Sequence, residues 1–235
     1  MIVTTEEMPF TTGGIEMNRR IACAVFGTSR SGKDCAISDA TNILSQHGMK
    51  FTHTSPMSMI HRRLDGENLK NMSAEDKQSL VDAVRSEITT AIENGFTFVD
   101  EHYSFPTYYG GVILKNGYNN EELPFVPDVG EDGIQYEVVY DADWIKEYDL
   151  VVYMDINPQT ILNRFRTSEG YEHNSSVTLD DISSWKEYEI RHIQNLCHNA
   201  HVPLFYIYNP EKSGSELAGV IRFFLKNPIG FQSIF

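Results

Sequence analysis

Residues Ile21 to Asp34, IACAVFGTSRSGKD, constrain the fold of this chain more than any other stretch. Ile21 to Phe26 has the length and apolar density of a buried parallel strand, Gly27 to Lys33 fits G-x-x-x-x-G-K, and a helical pattern begins directly afterwards. With strand, loop and helix in that order, successive backbone N–H groups of the loop curl around an anion and the helix N-terminus adds partial positive charge. The lysine reaches outward to the anion's remaining oxygens. Glycines at both ends permit backbone angles and a close approach to phosphate that a Cβ would block. The position after Lys33 usually carries a hydroxyl that ligates a divalent cation, and here it is Asp34. A carboxylate holds a hard cation directly or through water, so the metal shell is altered rather than abolished.

A chain of 235 residues buries one substantial core with an accessory lobe, and 41% hydrophobic with 22% charged is an ordinary globular balance. The net charge of −14 argues against broad electrostatic binding to nucleic acid, which needs a basic face. No apolar run approaches the length of a membrane span, and the N-terminus lacks the charged-then-apolar plan of a signal peptide. The expectation is a cytoplasmic protein with no membrane partner. Cys23, Cys35 and Cys197 are an odd, scattered set in apolar or helical stretches, read as reduced core thiols rather than a disulfide framework or a zinc site.

Residues 1–19 show little periodicity and read as an N-terminal extension. After the cradle, Ala36, Ile37, Ala40, Ile43 and Leu44 share one helix face that ends near Gly48. Lys50 to His53 is a short candidate strand, followed by a helix with Pro56 in its first turn that carries Arg62 and Arg63. Ser73 with Asp76 makes a capping-box-like start to a long helix with Leu80, Val81, Val84, Ile88 and Ile92 on its apolar face. Phe96 to Val99 is a buried strand ending in Asp100-Glu101-His102. An acid at the carboxyl end of a central parallel strand sits beside the cradle, so Asp100 is a candidate to orient a metal ion or its water.

From Tyr103 to Tyr140 the pattern turns to glycines, aromatics and short alternating runs, with Asn116-Gly117 as a turn signal, and reads as an inserted hairpin-rich lobe. Asp143 to Tyr148 is a short helix. Leu150 to Met154 is another buried strand, and Pro158 opens a helix that runs into Arg164 and Arg166. Residues 166–180 read as a lid. Asp180 or Asp181 caps a second long helix carrying Arg191, Leu204 to Tyr208 is the last strand, and Ser213 opens the closing helix. Strands alternating with helices predict an α/β fold, a doubly wound parallel five-stranded sheet with helices on both faces, over residues 20–235.

The order of parts resembles the nucleoside monophosphate kinase family of P-loop kinases, in detail the compact archaeal-type adenylate kinases. The resemblance covers Arg20 to Leu225 apart from the insertion at 103–140. It rests on Asp100-Glu101-His102, which resembles an Asp-x-His triplet, on Ile161-Leu162-Asn163-Arg164 entering the lid, and on Arg191 in the helix after the lid. The Arg30-Ser31-Gly32-Lys33-Asp34 form of the cradle is instead similar to phosphomevalonate kinases and phage deoxynucleoside monophosphate kinases. The implied activity moves the γ-phosphoryl group of ATP, with Mg²⁺, to a small-molecule nucleotide acceptor.

Phosphoryl transfer demands positioning and neutralisation of spreading negative charge. Gly27, Thr28, Ser29, Arg30, Ser31, Gly32 and Lys33, with Asp34 and Cys35 in the turn behind them, are assigned to the ATP phosphates. Asp34 and Asp100 serve Mg²⁺. Arg164, Arg166 and Arg191 clamp the transferring group on lid closure. Arg62 or Arg63 offers a fork-shaped cation to an acceptor phosphate, and Tyr103, Tyr108 and Tyr109 line the acceptor pocket. Surface solvation is the competing reading for Arg62, Arg63 and Arg166, and packing is the competing reading for the tyrosines. Another phosphorylated metabolite or a modified base in DNA is the alternative acceptor, and an ATP-binding sensor or toxin component is the non-catalytic alternative.

Overall fold

The computed structural model describes residues 20–64, 72–106, 126–129, 135–138, 142–167 and 177–227. The N-terminal extension, Tyr108, Tyr109, the Asn116-Gly117 turn and lid residues 168–176 lie outside the described residues.

The main sheet has five parallel strands in the order β2-β3-β1-β7-β8. At its centre, β1 (Ile21–Phe26) is buried at every residue, as an unbroken apolar run requires when both faces are covered by helices. It pairs on one side with β3 (Phe96–Asp100), Val25 opposite Asp100, and on the other with β7 (Leu150–Met154), Phe26 opposite Tyr153. The outer strands are β2 (Phe51–Thr54) beside β3 and β8 (Leu204–Ile207) beside β7. Phe51 stacks on Phe96 and Phe98 at 5.1 and 4.4 Å between ring centroids, which fixes the β2 register. That register puts the strand one residue later than the sequence expectation.

The connecting helices are α1 (Lys33–Ser45), α2 (Pro56–Leu64), α3 (Ala74–Glu93), α4 (Pro158–Thr167), α5 (Leu179–Ala200) and α6 (Ser213–Lys226), with a 3-10 turn at Ala142–Glu147. Ser73 caps α3 by accepting from the Asp76 amide. The expected Asp180 or Asp181 cap of α5 is corrected. Thr178 is the cap, its hydroxyl accepting from the Asp181 amide at 3.2 Å while the Asp181 carboxylate accepts from the Thr178 amide at 2.8 Å.

The expected insertion contributes a second, antiparallel sheet of three short strands, β4 (Ser104–Pro106), β6 (Gln135–Val138) and β5 (Val126–Val129), in that order. Buried Tyr136 stacks on Tyr188 of α5 at 3.9 Å between centroids, and Trp185 of α5 donates its indole N–H to the Ser104 carbonyl at 3.1 Å. The small sheet is thereby fastened to α5. Among the described residues, no helix is long and apolar enough to cross a membrane.

Candidate active site

The loop between β1 and α1 folds as the glycine frame predicts. A Cβ at Gly27 would lie 2.8 Å from Ser31 Oγ and 3.0 Å from Met154 Cβ, so only glycine fits there without displacing β7. Gly32 ends the loop with φ 97°, a left-handed conformation, and α1 begins with no side-chain cap bond. The first-turn N–H groups are therefore left for an anion. The Ser31 amide closes the loop onto the Thr28 carbonyl at 3.1 Å. Thr28 Oγ1 and Ser31 Oγ, both in this loop, are buried without a hydrogen bond.

Lys33 is 5% exposed and folds back across its own loop, its Nζ donating to the Gly27 carbonyl at 2.8 Å. Nζ also lies 3.7 Å from Asp100 Oδ1 and 3.4 Å from His102 Nε2. Burial and the Lys33 charge hold the His102 imidazole well below its usual pKa, so it is neutral. An ammonium can only donate, so Nε2 is the acceptor and the ring proton sits on Nδ1. Burial pushes the Asp100 carboxyl up to about 6; Lys33 opposes the rise and Asp34 adds to it.

Asp34 is exposed in the first turn of α1. Asp34, Asp100 and His53, the third residue of β2, place ligand atoms within 4.8 Å of one another. Two carboxylates and an imidazole suit a divalent cation, and Asp100 Oδ1 is buried with no hydrogen bond, so these residues fit Mg²⁺ or a related ion. His53 has no local signature as a ligand, because its strand is short and only pairing with β3 places it.

Arg164, in the last turn of α4, reaches across to the loop and donates through Nη1 to the carbonyls of Arg30 at 3.0 Å and Ser31 at 2.6 Å. The expected cradle, Lys33, Asp34, Asp100 and Arg164 thus converge at the carboxyl ends of β1 and β3. Cys35 follows in the first turn of α1, exposed rather than in the core, whereas Cys23 and Cys197 are buried. Arg62 and Arg63 are exposed in the last turn of α2, Arg63 in an ion pair with Glu87 of α3. Arg166 is exposed at the end of α4 and Arg191 is exposed on α5. Tyr103 is 7% exposed and stacks on His192 at 5.3 Å between centroids.

The burial of two further acids has no local signature, because their partners are distant along the chain. Glu101 accepts from Tyr148 Oη at 2.6 Å, and burial lifts its carboxyl to about 8. Glu189 of α5 accepts from the Ser104 amide at 3.3 Å and from Tyr153 Oη at 3.1 Å, and burial lifts it to about 7. Lys186, one turn earlier, pairs with Asp155 at 2.5 Å, just beyond β7.

No protein-family model matches the chain, and no curated protein does. Among solved structures, shikimate kinase from Acinetobacter baumannii in complex with shikimate is similar over 91% of this chain and 97% of that one, at 12% identity and a TM-score of 0.50. The chain has the P-loop kinase fold. The crystal structure of APE1195 is also similar, over 88% of this chain and 98% of that one, at 10% identity and a TM-score of 0.43. At 12% identity the likeness to the shikimate kinase is one of fold. In open parallel α/β sheets the crevice at the carboxyl ends of the central strands is where ligands bind, and Lys33 and Asp100 pair there while Arg164 reaches the loop at Arg30 and Ser31.

Proposed function

We propose that the protein is an ATP-dependent phosphotransferase whose acceptor is a nucleoside or deoxynucleoside monophosphate. The observation that carries the reading is convergence on one loop: Lys33 from within it and Arg164 from α4 bring two cations to the cradle, with an acid pair beside them. A site that only bound ATP needs the cradle and the lysine. A site that transfers a phosphoryl group also needs charge aimed at the group in flight, and the reach of Arg164 to the loop supports that role for it.

In this reading the loop amides and Lys33 hold the ATP phosphates. Asp34 and Asp100 hold Mg²⁺, which supplies charge neutralisation when bound. Neutral His102 keeps Lys33 oriented without competing for its charge. Arg166 and Arg191 join Arg164 as the lid closes and excludes water. Arg62 and Arg63, on the helix after β2, serve the acceptor phosphate, and Tyr103 backs the acceptor pocket through its stack on α5.

A coupled ADP-release assay with ATP and Mg²⁺ against ribo- and deoxyribonucleoside monophosphates tests this, with Lys33→Ala as the blank. Shikimate belongs in the panel, since the structure of similar fold was solved with it bound. Lys33-dependent turnover with one or a few monophosphates is expected. Tight ATP binding with no acceptor-stimulated turnover would sink the reading, and turnover with shikimate alone would replace the acceptor.

A further inference from the structure

The Asp that follows the cradle lysine faces two further donors. Asp34 at the start of α1, His53 in β2 and Asp100 at the end of β3 come from separate elements, yet their ligand atoms lie within 4.8 Å of one another. Donors sharing an ion at about 2.1 Å are at most about 4.2 Å apart. Side-chain adjustments of less than an ångström therefore close the cluster on an ion.

A second observation is independent of that spacing. Asp100 is 7% exposed, and its Oδ1 is buried with no hydrogen bond, Lys33 Nζ standing off at 3.7 Å. An ion pair at that distance compensates a buried carboxylate only in part, and the neighbouring Asp34 carboxylate adds repulsion. A cation between the two removes both costs. One carboxylate balances Lys33, and the other leaves net negative charge to attract a divalent ion.

We propose that Asp34, His53 and Asp100 form a divalent-cation site that fills in the nucleotide-free protein and takes a transition ion such as Mn²⁺ in preference to Mg²⁺. The imidazole sets the preference. Mg²⁺ dehydrates reluctantly and takes oxygen ligands in near-ideal octahedral geometry, whereas first-row transition ions accept a nitrogen donor among carboxylates. Asp34 and His53 are exposed, so the remaining coordination positions open to water or to phosphate oxygens. The inference deepens the proposed function, resting on it only in identifying those phosphates as a nucleotide's.

The test is a titration of the full chain with Mn²⁺ alone, read by the electron paramagnetic resonance of the free ion, with no nucleotide or acceptor present. Wild type is expected to take up one Mn²⁺, and equimolar Mg²⁺ to displace little of it. His53→Ala is expected to weaken Mn²⁺ binding at least about tenfold, with its circular dichroism unchanged. His53→Asp keeps a donor and removes the imidazole, so it should still bind Mn²⁺ but yield it readily to Mg²⁺. An undiminished free-ion signal with protein in excess overturns the site, as does wild-type affinity in His53→Ala. Equal competition by Mg²⁺ against wild type overturns the ion preference. Mn²⁺ uptake by a protein that turns over no monophosphate would leave the site standing and the phosphotransfer reading overturned.

Discussion

Arg164 Nη1 donates to the Ser31 carbonyl oxygen at 2.6 Å, tying a helix from the second half of the chain to the glycine-framed loop in the first. The same nitrogen lies 2.9 Å from where a Cβ on Gly32 would stand, so the loop's second glycine makes room for the arginine as well as for an anion. Carbonyl oxygens are exchangeable partners, and a negatively charged phosphoryl group would draw the guanidinium away with stronger, charge-assisted bonds.

Arg164→Ala should therefore lower kcat by about 10²- to 10³-fold, the scale found when one charge-stabilising donor is removed from a transition state. Nucleotide affinity should change only a few-fold. Steady-state rates with the preferred acceptor, alongside a nucleotide-binding titration, separate the two effects. If binding and turnover fell together, Arg164 would be holding the loop's shape and not the group in flight.

Gly214, the second residue of α6, sets how closely that helix approaches α1. A Cβ there would come 2.3 Å from Asp39 Cβ and 3.3 Å from the Ala40 nitrogen. Alanine improves helix propensity by up to about 1 kcal/mol, whereas overpacking a tight contact costs about 1–3 kcal/mol or more. The contact is against backbone and a Cβ, neither of which can swing aside, so the steric cost wins. Gly214→Val should lower Tm by several degrees, about 2–4 °C for each kcal/mol in a chain of this size. An unchanged midpoint in differential scanning calorimetry would mean that the two helices separate without penalty.

The cradle, the Asp100 strand and the Arg164 helix were legible in the sequence because each is written locally. An unbroken apolar run meets a glycine frame, an acid follows a buried strand, and arginines follow a helical stripe. What could not be read depends on partners far along the chain. His53 joins Asp34 and Asp100 only once β2 pairs with β3. Tyr103 lies against His192, and Glu189 meets Ser104 and Tyr153, contacts with no local signature. Cys35 is a different case: Ala36, Ile37 and Ala40 mark the inward face of α1, and the helical period already places residue 35 away from it.

That exposure gives a chemical handle on the proposed nucleotide site. Cys35 is the exposed thiol of the three, two residues after Lys33, while burial raises Cys197 to about 12 and Cys23 higher still. A buried thiol kept protonated is inert to alkylation. Iodoacetamide should modify Cys35 first in the native protein, with peptide mass spectrometry locating the adduct, and saturating ATP should slow the reaction. Equal labelling of Cys23 or Cys197 under native conditions would contradict the buried core, and labelling of Cys35 indifferent to ATP would place the nucleotide elsewhere.

The buried carboxyl of Glu189 ties stability to pH. Its ordinary value is 4.5 and burial lifts it to about 7, against the opposing pull of Lys33, the Ser104 amide and Tyr153. Because the folded value is the higher one, the folded state holds a proton that the unfolded state has released between these two pH values. Stability from this group is complete below about pH 4.5 and is lost as pH rises through 7, a swing on the order of 3 kcal/mol. Glu101, raised to about 8, titrates in the same direction and extends the decline to higher pH. Glutamine mimics the protonated acid, still accepting from Ser104 and able to donate to Tyr153. Urea unfolding at pH 5, 6, 7 and 8 should show a shallower fall for Glu189→Gln than for wild type, the two curves drawing apart as pH approaches 7. Parallel curves would mean that Glu189 is already ionised in the fold, its charge carried by Lys33 and the Ser104 amide.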